Sequence, residues 1–248
     1  MENEQAQLDD EVNVPIKAIQ IIDPAVIAKL PQGTNAVQIE AHGSSFWTRT
    51  ARLETERGGI KGATTYGERG RQLLSSEYHC MEKLYTTVPD LVPQPIAWGS
   101  YSSMAEVHFF LSEFRPMTGG LPDIETFPAK IAEMHRAGTL PDGRFGFDVT
   151  TFHGEIPIEH GWSDTWEEYF ARTTRILLQL EQDTRGPREE MQQLPWNEIN
   201  KPYRERYHEH FPKSNPEADH EDRSLLYATR VNMLDSILYK NDPNYREM

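Results

Sequence analysis

The sequence predicts an α+β fold in two parts, a small antiparallel-sheet lobe with one long helix followed by a lobe built mainly of helices. Three observations carry this reading. Before residue 115, alternating runs flank a single stretch of helical periodicity; beyond it helical spacing dominates; between them lies PMTGGLPD, whose proline and glycine content suits a hinge. The expected division is residues 1–115 and residues 116–248.

The elements follow in order. Residues 1–12 are polar and acidic and are expected to fray. PIKAIQIIDPAVIAKL gives a short segment, a break at Pro24 and a brief helix. Residues 38–56 alternate as two strands, with His42-Gly43-Ser44-Ser45 as the turn between them. Leu74, Tyr78, Met81 and Tyr85 recur at intervals of four, three and four, so residues 71–85 form an amphipathic helix whose apolar face requires a packing partner. PIAWGSY and VHFFLSEF read as two strands around a polar turn.

Past the hinge, Phe127, Ile131 and Met134 mark one helical stripe. Trp166, Tyr169, Phe170, Thr173, Ile176, Leu177 and Leu180 mark a longer one, and Tyr227, Val231, Leu234 and Leu238 a third. PDGRFGFDVTTFHGEIP, between the first two, is a turn-rich loop with strand-forming residues.

Composition narrows the function. A formal net charge of −14 opposes sequence-independent binding to nucleic acid, which needs clustered Lys and Arg. No apolar run approaches the length that spans a bilayer, and MENEQAQLDDEVN lacks the pattern of a secretory leader, so a cytoplasmic protein is expected. The one cysteine, Cys80, rules out an internal disulfide framework and suits a reducing compartment.

Few stretches carry chemistry. HGSSFWTRTARLETERGGIK joins a glycine and small polar residues to a strand-like run ending in Lys61, the order of a phosphate-covering hairpin and also of a plain surface hairpin. His208-Glu209-His210 places its histidines at i and i+2, not on one helix face, and His220 lies among Asp219, Glu221 and Asp222 as a solvated charge cluster. No metal ligands are assigned on that basis. There is neither a Gly-x-Ser-x-Gly elbow nor a Walker lysine motif.

GSSFWTRTARLETE, IKGATTYGERGRQLLSSEYHCMEKLY, VPQPIAWGSY, HFFLSEFRPM, FGFDVTTFHGEIP, WSDTWEEYFA and EDRSLLYATRVNMLDSILY, in this order, resemble the fungal branch of the fructosamine/ketosamine-3-kinase (protein-ribulosamine 3-kinase) family. The resemblance runs from about Pro31 to the C-terminus with one large interruption. It implies a protein-kinase-like two-lobe fold, with residues 1–115 as a nucleotide-binding-like lobe and residues 116–248 as an incomplete, truncated helical lobe.

It also implies site residues. Gly43, Ser44 and Ser45 would form the hairpin tip over ATP phosphates, Lys61 would contact them, and Glu77 would hold that lysine. Backbone groups around Glu113 and Phe114 would face the adenine. ETERGGIK, with Ile60 as its one apolar residue, predicts a shortened strand before Lys61.

The family's His-Gly-Asp-Leu-Trp-x-x-Asn loop and its metal-binding aspartate belong between the helix of residues 166–180 and the segment near Trp196. Here QDTRGPREEMQQL passes directly to PWNEINKPYRERYHEHFP, so ATP and Mg²⁺ are cofactors by resemblance, without identified Mg²⁺ ligands. A true deletion and a splicing or gene-model error both fit, because the downstream segment stays in register. Glu155, in His153-Gly154-Glu155, is the nearest substitute for the catalytic carboxylate, but no Asn follows at the metal position.

The expected function is therefore ATP-dependent phosphorylation of a ketosamine hydroxyl, impaired by the absent segment. The alternative is an inactive kinase-like binding or scaffolding protein, repurposed in a biosynthetic pathway. Loss of the segment would also strip packing partners from the Trp166 and Tyr227 stripes and favour self-association.

Overall fold

Residues 49–55 hold the first clue to the architecture, because their buried positions, Arg49, Ala51 and Leu53, fall on alternate residues of one strand. The structure, a computed structural model, describes residues 13–117, 119–186, 200–242 and Tyr245. The N-terminal residues 1–12 and the junction near residues 194–196, both subjects of expectations above, lie outside the described residues. The chain divides into two units, Met1–Gly119 and Gly120–Met248.

In the first unit, β1 (Ala36–Ser44), β2 (Arg49–Thr55), β3 (Gly58–Tyr66), β4 (Pro95–Ser100) and β5 (Val107–Glu113) form an antiparallel sheet in the order β1-β2-β3-β5-β4. Leu53, Ile60, Phe109 and Leu111 pack against Val14, Ala18 and Val26 of the segment that precedes the sheet. The other face carries Ala63 and Phe110, which pack against Leu74 of helix α2 (Gly67–Thr87), with Tyr78, Met81 and Trp98 around them. Burial on both faces explains why β5 reads as an apolar run and is buried from Val107 through Ser112.

A buried carboxylate and a close glycine contact fix the layers. Asp23 is fully buried and caps the one-turn helix α1 (Pro24–Ile27) by accepting from Ala25 N at 2.8 Å. It also accepts from the backbone N–H and hydroxyl groups of Ser102 and Ser103 at 2.5–2.9 Å. Burial pushes its carboxyl up, but these donors overcome it and hold the group far below the ordinary carboxylate range. At the start of α2, a Cβ on Gly70 would sit 2.6 Å from Thr65 Oγ1, so only glycine permits this close approach to β3.

In the second unit, α3 (Phe127–Ala137) is followed by β6 (Phe145–Phe147), β7 (Thr151–His153), β8 (Ile156–Ile158) and β9 (Gly161–Ser163). Strand β6 pairs with β9 and β7 with β8, so the turn-rich loop of the sequence becomes two small antiparallel ladders. Helices α4 (Trp166–Arg185), α5 (Asn200–His210) and α6 (His220–Leu238) complete it. Leu177 of α4 packs with Ile156, Met233, Leu234 and Ile237. Arg230 of α6 donates to Thr173 Oγ1 at 2.6 Å, and Arg185 binds the carbonyls of Ser236, Tyr239, Lys240 and Asp242 at the end of α6.

Several expectations need correction. His42, Gly43 and Ser44 belong to β1, and the turn is made by residues 45–48. Buried Arg49, whose Nε donates to Val14 O at 2.8 Å, fixes the start of β2, while a bulge between Ala41 and Gly43 absorbs the glycine at φ +130°. The strand holding Lys61 is a full nine residues. Glu56 and Arg57 make a tight two-residue turn, and Gly58 and Gly59 are already paired with Thr55 and Glu54.

The helical stripes are also shifted. The buried residues of α4 are Thr173, Leu177 and Glu181, while Trp166 and Ile176 stay 43% and 48% exposed. On α6, Leu234 is buried, but Tyr227 and Val231 are exposed. On α3, Pro128 and Ala132 are buried, whereas Phe127 is exposed.

Candidate functional site

Strand β3 lies between β2 and β5, which places Lys61 directly opposite Arg52 on one side and Ser112 on the other. Residues directly opposite in an antiparallel pair share a face. Ala63, two residues on from Lys61, packs on Leu74, so Lys61 and Arg52 stand on the α2 side of the sheet. Two cations in this relation repel each other. Arg52 is compensated by Glu54, at 2.7 Å, and its guanidinium lies 4.6 Å from the centroid of the Phe114 ring.

Gly59 makes that arrangement possible. A Cβ there would lie 3.1 Å from Arg52 Nε and 3.2 Å from Phe114 Cβ. The Gly-Gly pair that weakens the apolar pattern before Lys61 thus makes room for an Arg–aromatic stack. His42 meets the other edge of the Phe114 ring at 4.9 Å between centroids.

Glu77 projects from α2, and no ion pair joins it to Lys61 among the described residues. The two are nonetheless electrostatically linked. Although Glu77 keeps exposed surface, the protein crowding its carboxyl pushes it above the ordinary range, against the downward pull of the Lys61 charge. Raised in this way, the carboxyl gains from any closer approach by a cation.

The hairpin tip is closed on itself. Ser45 N donates to Thr48 O at 2.8 Å, and Ser45 Oγ accepts from Trp47 N and Thr48 N at 3.3 and 3.2 Å. Gly43 O accepts from Thr50 Oγ1 at 3.1 Å. The backbone donors of Ser45, Trp47 and Thr48 are thus occupied within the turn, and Gly43 lies at the bulge, short of the tip.

At the end of β5, Glu113 N donates to Gln94 O at 2.8 Å and Phe114 N to Gly59 O at 3.1 Å. The Glu113 carboxylate accepts from Arg115 Nε at 2.9 Å and from Gln94 N at 3.2 Å. Both backbone N–H groups expected to face a base are therefore used inside the unit. Glu155 occupies the two-residue turn of the β7–β8 hairpin beside Gly154 at φ +58° and is exposed.

Lys61, Glu77, Gly59, Phe114 and Arg52 accordingly belong to one neighbourhood of the first unit, while Glu155 belongs to the second. Arg52 was absent from the sequence-based set. Alternation in RTARLETE offers its signal, since burying Ala51 and Leu53 turns Arg52 to the opposite face, and the Glu56-Arg57 turn sets it against Lys61. No group of three or more His, Cys, Asp or Glu side chains among the described residues is arranged to hold a metal ion. No described helix is long and apolar enough to cross a membrane.

Comparison with known proteins adds the family. The fructosamine kinase family model matches residues 63–227, more than half of the chain. That span includes Glu77, Glu113, Phe114 and Glu155 and begins just after Lys61. A ketosamine-3-kinase from Mus musculus is 25% identical over 176 residues, which are 62% of this chain and 57% of that protein. The chain thus spans little more than half the length of that relative.

Crystal structures of two proposed fructosamine-3-kinases share the fold. The protein from Thermobifida fusca YX-ER1 gives a TM-score of 0.62 at 15% identity, covering 87% of this chain and 91% of the other. The protein from Haemophilus somnus 129PT gives 0.58 at 14%, covering 84% and 86%. With an antiparallel sheet unit, a helical unit and the family match over residues 63–227, this chain belongs to the fructosamine kinase family and has its α+β, kinase-like fold.

Proposed function

We propose that the first unit binds ATP through Lys61, and that transfer of its γ-phosphoryl group to a ketosamine hydroxyl, of the fructosamine or ribulosamine class, is impaired in this chain. The observation carrying the proposal is Lys61 on the central strand, directly opposite Arg52 and within electrostatic reach of Glu77. A phosphate chain would relieve the repulsion between the two cations, and a Lys61 drawn toward Glu77 would be held in place. ATP, when bound, supplies the phosphoryl group and the charge that these residues offset.

Magnesium does not fit in the same way, since no convergent set of three or more His, Cys, Asp or Glu side chains occurs among the described residues. Impairment rests on the sequence, in which none of the three His-Gly pairs, at His42, His153 and His160, continues into Asp-Leu-Trp-x-x-Asn. The carboxylate that accepts the sugar proton and the groups that offset transition-state charge are then lacking. Glu155, at an exposed hairpin turn with no Asn at the metal position, is a poor replacement.

A second reading, an inactive kinase-like binding or scaffolding protein, draws support from the exposed Leu225, Leu226, Tyr227 and Val231 of α6. It includes self-association in a cytoplasmic setting, and a concentration-independent monomer on gel filtration would contradict that self-association. The direct test of the main reading is phosphoryl transfer from γ-labelled ATP to a simple ketosamine by the purified chain, with Lys61→Met as control. The expected result is ATP binding with transfer at background. Robust transfer that Lys61→Met abolishes would contradict impairment and move attention to Glu155.

A further inference from the structure

His208 and His220 are twelve residues apart, and the local sequence pairs neither with the other. The turn from α5 into α6 brings their Nε2 atoms to 3.2 Å, with the rings nearly perpendicular at 86° and their centroids 4.6 Å apart. His208 Nδ1 lies 3.0 Å from the carbonyl oxygen of Phe211. A carbonyl only accepts, so Nδ1 carries a proton, and the tautomer protonated there alone presents the Nε2 lone pair to His220. His210, the partner suggested by adjacency, takes no part in this contact.

The pair lines a cleft of about 550 Å³ together with Arg204, Glu205, Lys213 and Glu221. Charges in the cleft balance, two cations against two carboxylates, and Arg204 lies 3.1 Å from Glu221.

The spacing is that of metal ligands. Two imidazole nitrogens bound to one tetrahedral ion at about 2.0–2.1 Å stand roughly 3.3 Å apart, close to the 3.2 Å observed. The Nδ1–H to carbonyl bond on His208 is the support that orients and polarises a ligating histidine. We propose that His208 and His220 form a two-histidine anchor for a borderline divalent transition-metal ion, Zn²⁺, Ni²⁺ or Cu²⁺, whose remaining positions face the cleft. The ion replaces the proton shared between the Nε2 atoms, and His220 takes the tautomer protonated at Nδ1. The two histidines are the only protein ligands claimed, since no described cluster of three or more His, Cys, Asp or Glu is arranged to hold an ion; water fills the remaining positions, and the bound ion ties the end of α5 to the start of α6. This site is separate from the nucleotide chemistry, whose Mg²⁺ prefers oxygen ligands.

Calorimetric titration of the untagged full chain with ZnCl₂ tests the proposal, with His208→Gln, His220→Gln and, as control, His210→Gln. One ion per chain is expected, weakened at least tenfold in the first two variants, unchanged in the control, and weaker at pH 5.5 than at pH 7.5 as imidazoles protonate. Absence of saturable heat, equal affinity in all variants, or loss in His210→Gln would overturn it. If a variant does not fold, Ni²⁺ added to wild-type protein should broaden the NMR signals of Lys213 and Glu221 first. Broadening centred elsewhere would contradict the site.

Discussion

The two units bury their apolar residues differently. In the sheet unit both faces of the sheet are covered, one by the segment from Val14 to Val26 and the other by α2, and β5 is buried over six successive residues. In the helical unit α4 and α6 bury one line of contact, around Leu177 and Leu234, and leave Ile176, Leu226 and Val231 open. The lesson is that an apolar stripe sets which residues can be buried, whereas the number of covered faces sets which ones are.

Core truncations should break this comparison first if it is wrong. Phe109, 1% exposed between the two layers, should cost about 3–5 kcal/mol on substitution by alanine. Ile176→Ala, at a residue 48% exposed, should cost less than about 0.5 kcal/mol. Urea unfolding of both variants measures the contrast, and similar losses would show that α4 has a covering partner.

Asp23→Ala should come next, at about 2–3 kcal/mol, because it strands donors from Ala25, Ser102 and Ser103 beneath the surface. The pH dependence has a definite sign. The folded carboxyl titrates far below its ordinary value of 3.8, so its stabilisation is complete above that value and is lost as pH falls through the folded pKa. Asp23→Asn should therefore flatten the acid limb of stability below about pH 4, as followed by thermal melts. An unchanged limb would remove Asp23 as its source.

How much of this was legible depended on the covering of each element. VHFFLSEF and the Leu74 helix were readable because burial on both faces of β5 leaves an apolar run, and one packed face on α2 leaves a stripe. The hairpin tip escapes the sequence because Gly43 and Ser44 resemble a turn in composition, while buried Arg49 fixes the start of β2 through its bond to Val14, 35 residues earlier in the chain. Arg52 and the His208–His220 pair escaped because each depends on where a turn brings the chain back. Lys61 and Glu77 were found through resemblance, since ETERGGIK hides a complete strand.

The smallest stability effects should fall on the candidate site. Lys61→Ala removes an exposed side chain opposite a like charge, so its unfolding free energy from urea titration should stay within about 0.5 kcal/mol of wild type. A larger loss would mean that Lys61 supports the fold. Hydrogen exchange sharpens the same contrast between the units, with amides of β3 and β5 expected to exchange more slowly than those of α5.

The central claim is that the sheet unit still holds nucleotide through Lys61. Calorimetric titration of ATP into wild type and folded Lys61→Ala tests it most directly. Saturable binding in wild type that weakens at least tenfold in the variant is the predicted result. Equal heats in the two proteins, or none in either, would contradict it.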